Sequence, residues 1–155
     1  MKFSAQEDIE APIDDVFAMV ADFERFERMA LRRGADVRRV ADRGPVAAGT
    51  VWETKFNIRG KPREVTIEMT ERDDPALMEF QANGKGMVGI TKVDLLALSR
   101  NRTRLTLSMS LSAKTLPAKL LLQSMKLGQS RIRRQFQSRL SDFAREIEDR
   151  YRHRT

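Results

Sequence analysis

The sequence has no cysteine and only one histidine, one tryptophan and one tyrosine. Without thiols there can be no disulfide, no thiolate metal site and no cysteine nucleophile, which suits a reducing cytoplasm. His153 is the third residue from the C-terminus, a poor place for a general base, because chain ends are seldom held in place. One histidine and no cysteine cannot assemble a zinc site or a Ser–His–Asp arrangement. Gly84, Gly86 and Gly89 fall in a hairpin turn and a strand, not at the strand-to-helix joint of a phosphate loop. Asp73-Asp74-Pro75 reads as a turn rather than an all-oxygen cation site. No cofactor is called for. No apolar run approaches the roughly 20 residues of a membrane span. Met1 to Glu10 mixes Lys2, Glu7, Asp8 and Glu10 into a strand pattern, unlike a secretion signal. The expectation is a soluble, cytoplasmic protein.

What is present is ordinary for a globular chain: 155 residues, 41% hydrophobic and 33% charged, read as one domain over 1–155. The net charge of +7 is unevenly placed. Residues 1–113 hold 18 basic and 18 acidic side chains, and residues 114–155 hold 11 basic and 4 acidic. The whole excess lies on the last segment. Such a basic face is either a solvated helix surface or a docking site for an anionic partner.

That segment is also the most regular in the chain. Ile132, Phe136, Leu140, Phe143, Ile147 and Tyr151 are spaced by three or four residues, one stripe of a helix. Thr115 is a fitting N-cap, with Pro117 in the first turn. A continuous helix from Leu116 to Tyr151 would run about 54 Å at 1.5 Å per residue. A domain of this size is only about 40 Å across, so the helix must kink or overhang, and Gly128 is the expected bend.

Upstream the helical period is confined to two short stretches. Lys2 to Ile9 alternates as a strand, Ala11-Pro12 stops it, and Asp14 and Asp15 open a short helix through Val20. Asp22 caps a second helix carrying Phe23, Phe26 and Met29, which Gly34 ends. Strands are expected over Asp36–Ala41, Thr50–Ile58, Arg63–Thr70, Leu77–Ala82, Val88–Leu98 and Thr103–Leu111. The turns between them are Gly44-Pro45, Gly60-Lys61-Pro62, Asp73-Asp74-Pro75, Asn83-Gly84 and Ser99–Asn101. Leu95, Leu96 and Leu98 break the alternation of the Val88 strand and leave its facing open. The implied fold is α+β: a seven-stranded antiparallel sheet, first strand beside last, curled around the long C-terminal helix. A helix cannot fill a strongly bent sheet everywhere, so a ligand cavity is expected between them.

The run Ile9-Glu10-Ala11-Pro12-Ile13-Asp14-Asp15-Val16-Phe17, with Ala21-Asp22 after it, resembles the entry into the first helix of the START-like superfamily. Thr103-Arg104-Leu105-Thr106 is similar to the start of that superfamily's last strand, and a long amphipathic helix follows. The resemblance spans the whole chain. It implies the helix-grip fold and a hydrophobic pocket, as in polyketide cyclases and lipid-transfer domains, but no particular reaction, because binders, carriers and enzymes share that scaffold.

Alternation assigns Trp52, Thr54 and Phe56, Ile67, Met78 and Phe80, and Leu107 and Met109 to the inner face of the sheet. Leu121, Met125 and Phe136 are the matching helix residues. These are candidate ligand contacts or plain core. Glu7, on the face of Phe3 and Ile9, and Arg139, beside the helix stripe, are the polar candidates. Eight methionines suit a pliable pocket. On a helical wheel Ala118, Leu121, Leu122 and Met125 continue the core stripe, whereas Leu116, Leu120 and Leu127 point outward near Lys119, Lys126, Arg131 and Arg134. These outward residues would face a membrane or protein partner unless a bend turns the leucines inward.

The reading is a binder or carrier of an apolar small molecule such as a lipid, polyketide, isoprenoid or quinone. A polyketide cyclase or dehydratase is the enzyme alternative. The third class is a membrane- or protein-docking module using the basic helix. Nucleic acid is disfavoured: Arg32, Arg33, Arg38 and Arg39 are basic, but exposed aromatics are missing. Either a monomer or a homodimer fits.

Overall fold

Alternation and turn chemistry set most of the strand limits. The computed structural model describes residues 1–40, 44–58 and 60–154, and only the backbone of residue 58. Strand β1 (Lys2–Ile9) leads into helices α1 (Ile13–Val20) and α2 (Phe23–Arg32). Strands β2 (Asp36–Val40), β3 (Val51–Ile58), β4 (Lys61–Asp73), β5 (Leu77–Gly84), β6 (Met87–Ser99) and β7 (Arg102–Ala113) follow, then helices α3 (Leu116–Leu127) and α4 (Gln129–Arg152). All seven strands form one antiparallel sheet in the order β1-β7-β6-β5-β4-β3-β2. The helix-grip α+β architecture expected from the chain order is the one observed. Among the described residues no helix is long and apolar enough to cross a membrane.

The differences are local and have physical causes. Ala41, expected to end β2, lies outside the described residues. Lys61 and Pro62, expected in the turn with Gly60, belong to β4, and Gly60 takes a positive φ of 78° just before them. Pro62 precedes the part of β4 that pairs with β5 from Thr66 onward, so one side of the strand needs no donor there. The hairpin turn after β5 is Lys85-Gly86, at φ 47° and 83°, rather than Asn83-Gly84. Positive φ at both central residues is what a two-residue hairpin loop of the right twist demands. Gly84 remains in the strand, where a Cβ would lie 2.9 Å from the Glu64 carbonyl oxygen. In β6, Val93 and Leu95 turn inward and are buried, whereas Leu96 and Leu98 are exposed. An irregularity between Ala97 and Ser99 accommodates the broken pattern.

Pairing register lines the inner face in rows. One runs Ala5, Leu107, Val93, Met78, and another Phe3, Met109, Thr91, Phe80, Met69. Helix α4 sets Leu140, Ala144 and Ile147 into this face, with Phe136, Phe143 and Tyr151 half-buried around them. Polar contacts fix its position on β1: Gln137 Nε2 donates to Glu7 Oε1 at 2.9 Å, Ser141 Oγ donates to the same oxygen, and the Glu10 amide donates to Glu148 at 2.8 Å. Buried Thr103 gives its hydroxyl proton to the Ala11 carbonyl at 2.8 Å, so burial leaves no donor unmet there.

The helix does break at Gly128, as its length required. Thr115 caps α3 by accepting from the Ala118 amide. Helix α3 packs mainly on β7 and fully buries only Ala118, with Leu122 and Met125 half-buried. Leu121 is a correction: expected on the core stripe, it is 43% exposed. It lies about 60° from the Ala118–Met125–Leu122 centre at 100° per residue, too far round for a helix with one neighbouring strand.

Across the β1–β7 pair, Arg104 Nε donates to Asp8 Oδ1 at 2.9 Å and its Nη2 to Oδ2 at 3.3 Å. That hydrogen bonding, opposed by burial and helped by the charges of Arg104 and Arg102, holds the Asp8 carboxyl below its ordinary value of 3.8. A depressed carboxylate pKa contributes stability that is fully present above the unfolded value and lost as pH falls through the folded one. Asp8→Asn should therefore flatten the fall in melting temperature below about pH 4, measured by circular dichroism. Ile147→Ala should cost about 2–5 kcal/mol in urea unfolding, and Phe143→Ala less than a fully buried Phe would.

Candidate functional site

Helix α2 has no fully buried residue, yet its apolar face roofs a hollow over the strands. Phe23 and Phe26 project toward Val37, Trp52, Thr54, Ile67, Phe80, Ala82 and Thr91, enclosing about 300 Å³. Strand pairing places Trp52 beside both Ile67 and Arg39, and Thr54 beside Val37, so β2 and β3 form one wall. Three rings meet there: Phe23 and Trp52 centroids are 5.5 Å apart, Phe23 and Phe80 6.1 Å, and Trp52 and Phe80 6.2 Å, all tilted or edge-on. Those are the favoured geometries for aromatic pairs.

One carboxylate sits among these rings. Glu27 Oε2 accepts from Trp52 Nε1 at 2.9 Å and from Arg39 Nε at 2.7 Å, while its Oε1 accepts from Arg39 Nη2 at 3.1 Å. The fork of hydrogen bonds from arginine makes this a strong, geometrically fixed pair. Glu27 also lines a shallow outer hollow together with Arg39, Arg38 and Arg28, so the pair stands at the rim of the cavity. Thr54 has spent its proton on the Val65 carbonyl at 2.8 Å and retains only acceptor capacity. Glu27 is therefore the one charged group among the described residues lining the cavity.

A second hollow, about 800 Å³, lies where α4 meets the start of β1. Its lining includes Phe3 with Ser4, and Met109 with Ser108 and Ser110. Neighbours along a strand point to opposite faces, so this space wraps around the sheet end instead of entering the interior. The α2 hollow, whose lining is apolar except for Glu27, Thr54 and Thr91, is the better candidate for an apolar ligand.

The expected site residues are distributed as follows. Trp52, Thr54, Ile67 and Phe80 meet around the cavity. Met109 and Phe136 line the other hollow, and Phe136 packs on Phe3 at 6.3 Å. Met78 is 1% exposed, deep in the core, and Leu107 packs against the core. Phe56 is half-buried outside the cavity lining, as is Met125 on α3, and Leu121 faces outward. Glu7 is bound to α4, and Arg139 is exposed. Glu7 and Arg139, the two polar candidates, thus lie apart from this cavity, and the polar pair at its rim is Glu27 with Arg39. Phe23, Phe26, Glu27, Val37 and Arg39 were all outside the expected set. The signal for Glu27 was available: on a wheel it falls on the Phe23–Phe26 face of α2, and a charge on an apolar face needs a partner. Arg39 shares strand parity with Val37. Among the described residues no group of three or more histidines or carboxylates converges as a metal-ligand set, and Asp74 instead accepts from Arg72 at 2.6 Å.

A curved antiparallel sheet gripping a C-terminal helix, with two short helices after the first strand and a hollow under the second, defines the helix-grip class. The chain belongs to the polyketide cyclase / dehydrase and lipid transport family, whose model matches residues 1–148. No curated protein sequence matches it. Among solved structures it is similar to the Zhui aromatase/cyclase of Streptomyces sp. R1128, with 15% identity, TM-score 0.68, and coverage of 97% of this chain and 94% of that one. A protein from Thermus thermophilus is similar at 20% identity and TM-score 0.66, covering 95% and 97%. Truncated norcoclaurine synthase from Thalictrum flavum is similar at 14% identity and TM-score 0.66, covering 93% and 90%. At these identities the structural likeness is one of fold.

Glu27→Ala would leave the Trp52 N–H and the Arg39 guanidinium without their acceptor. The expected loss is about 1–3 kcal/mol in urea unfolding, with a changed Trp52 emission maximum. Glu27→Gln keeps one acceptor oxygen and should lose less. Equal, negligible losses in both variants would mean that the pair does not hold the cavity wall.

Proposed function

We propose that the protein binds, and by binding carries, a compact apolar molecule in the cavity beneath α2. The observation that carries this reading is the ring-lined hollow with a single fixed carboxylate–arginine pair at its rim. Apolar walls supply affinity, and a few well-placed polar groups supply orientation. At about 300 Å³ the cavity is at the small end of the ligand-pocket range. That size favours a fused-ring polyketide, a quinone head or a short isoprenoid over a two-tailed lipid. Tilted rings on three sides suit an aromatic guest. Membership of a family that includes cyclases, dehydrases and lipid transporters supports an apolar ligand.

A cyclase- or dehydratase-like enzyme is the second reading, and Glu27 is the observation that favours it. A carboxylate at the edge of an apolar cavity is the group such a proton transfer would use. In this chain both of its oxygens are engaged by Arg39, which suits accepting from a ligand hydroxyl better than moving protons.

Trp52 is the only tryptophan, is 5% exposed and lines the cavity. Titration with polycyclic aromatics, quinones and isoprenoids should quench or shift its emission. Native mass spectrometry of the purified protein should show a bound apolar species. Ile67→Trp, which fills the cavity, should abolish both signals while the circular dichroism stays native. A flat titration across the panel, together with a ligand-free mass, would overturn the proposal.

A further inference from the structure

The basic excess of this protein is not shared along its C-terminal helices. Residues 114–141 carry seven basic and no acidic side chains, whereas residues 142–155 carry four of each. The structure divides them in the same way. In the second half Arg145 pairs with Asp142, Arg150 with Glu146, Arg152 with Asp149 and Arg154 with Asp15. In the first half, among the described residues, none of the seven makes an ion pair. The net excess of basic over acidic side chains therefore gathers around α3 and the first half of α4.

The largest exposed apolar side chains occupy the same place. Leu116 is 70% exposed, Leu120 61% and Leu127 92%. At 100° per residue the three fall within about 40° of one another, opposite buried Ala118 and half-buried Leu122 and Met125. The break at Gly128 does not turn them inward. The helix is held in this pose from beneath. Thr115, its N-cap, sits against Gly86, where any Cβ would collide with the threonine side chain, and the Lys114 amide donates to the Gly86 carbonyl at 2.7 Å. Thus α3 is a ridge about 18 Å long at 1.5 Å per residue, with its sheet-facing side occupied and a leucine crest outward.

We propose that this ridge docks the protein on the surface of an anionic lipid bilayer, with the leucine crest in the acyl–headgroup boundary and the flanking cations on the headgroups. An outward apolar stripe edged by Lys119 and Lys126, backed by Arg131 and Arg134 and free of acidic residues, has the composition of an interfacial helix. A second copy of the chain is a poor occupant. A two-fold contact would bring both sets of seven cations together with no carboxylate between them, and like charges facing each other are costly. A single nucleic-acid strand would neutralise the cations but leave the leucines uncovered, and the crest offers no aromatic ring for stacking. This inference does not depend on what the α2 cavity holds.

The test uses the intact protein and vesicles of neutral phosphatidylcholine with or without about 30% phosphatidylserine. At about 50 mM salt the protein should float with the anionic vesicles at least tenfold more than with neutral ones, and raising salt to about 500 mM should remove the difference. Leu120→Ser with Leu127→Ser should reduce binding about tenfold or more without moving the unfolding midpoint, since both side chains are already exposed. Lys119→Gln and Lys126→Gln should each reduce it about fivefold. Because the chain has no cysteine, Leu127→Cys accepts a single polarity-sensitive dye. Its emission should shift blue on anionic vesicles, whereas a dye on Asn101→Cys, at the far end of β7, should not shift. Equal flotation on both vesicle types, none at low salt, or binding that survives the double serine variant would overturn the proposal. A dimer lost in that variant without vesicle binding would overturn it in favour of a second copy, and an acidic protein captured without vesicle binding would overturn it in favour of a protein partner.

Discussion

The structure depends on burying one face of α4 against the concave side of the sheet. Leu140, Ala144 and Ile147 enter the core, and α4 runs against β1, the strand from the opposite end of the chain. Because β1 pairs with β7, the sheet has its first and last strands side by side, and α4 holds the β1 edge of that pair. Glu7, Gln137 and Ser141 supply polar register to what would otherwise be a sliding apolar contact. Hydrophobic burial provides the larger share of the free energy, and the hydrogen bonds fix which residues meet.

The cavity follows from that arrangement. Helix α4 lies over β1 and α1, so the other half of the concave face, β2 to β5, has to be covered by something else. Helix α2 covers it incompletely, because it is short and its apolar face consists chiefly of Phe23 and Phe26. The remaining space is lined by rings that cannot close upon each other without leaving their tilted packing. Glu27 keeps α2 in place over the gap by bonding to Trp52 and Arg39 on the strands beneath, so one carboxylate both anchors the roof and marks the polar end of the hollow.

Charge in the protein is organised by pairing. Most acidic groups on the helices are committed to arginines, such as Glu146 to Arg25 and Asp142 to Arg145. Exposed pairs such as Asp142 with Arg145 add little stability, but together the pairs neutralise one half of the C-terminal segment and leave the other half bare. That bare half also carries the exposed leucines of α3, so apolar surface and net positive charge coincide there.

The sequence alone determined the architecture. Period-two alternation, turn residues at fixed intervals and one strong helical stripe leave few arrangements open, and each signal is local. It also marked Leu116, Leu120 and Leu127 as lying opposite the core stripe and Gly128 as the place for a bend, but whether that bend turns the leucines inward was decided by how α3 packs. The site was only partly legible. Trp52, Thr54, Ile67 and Phe80 could be read from alternation, but their being together beneath α2, and apart from Met109, Phe136 and Met78, depends on strand order and sheet curvature. Glu7 and Arg139 could be read as polar candidates, but local pattern shows only which face a side chain takes. Whether a charge on that face meets a partner is decided by which elements the fold brings together, and Glu27 and Arg39 are joined only through the packing of α2 on β2.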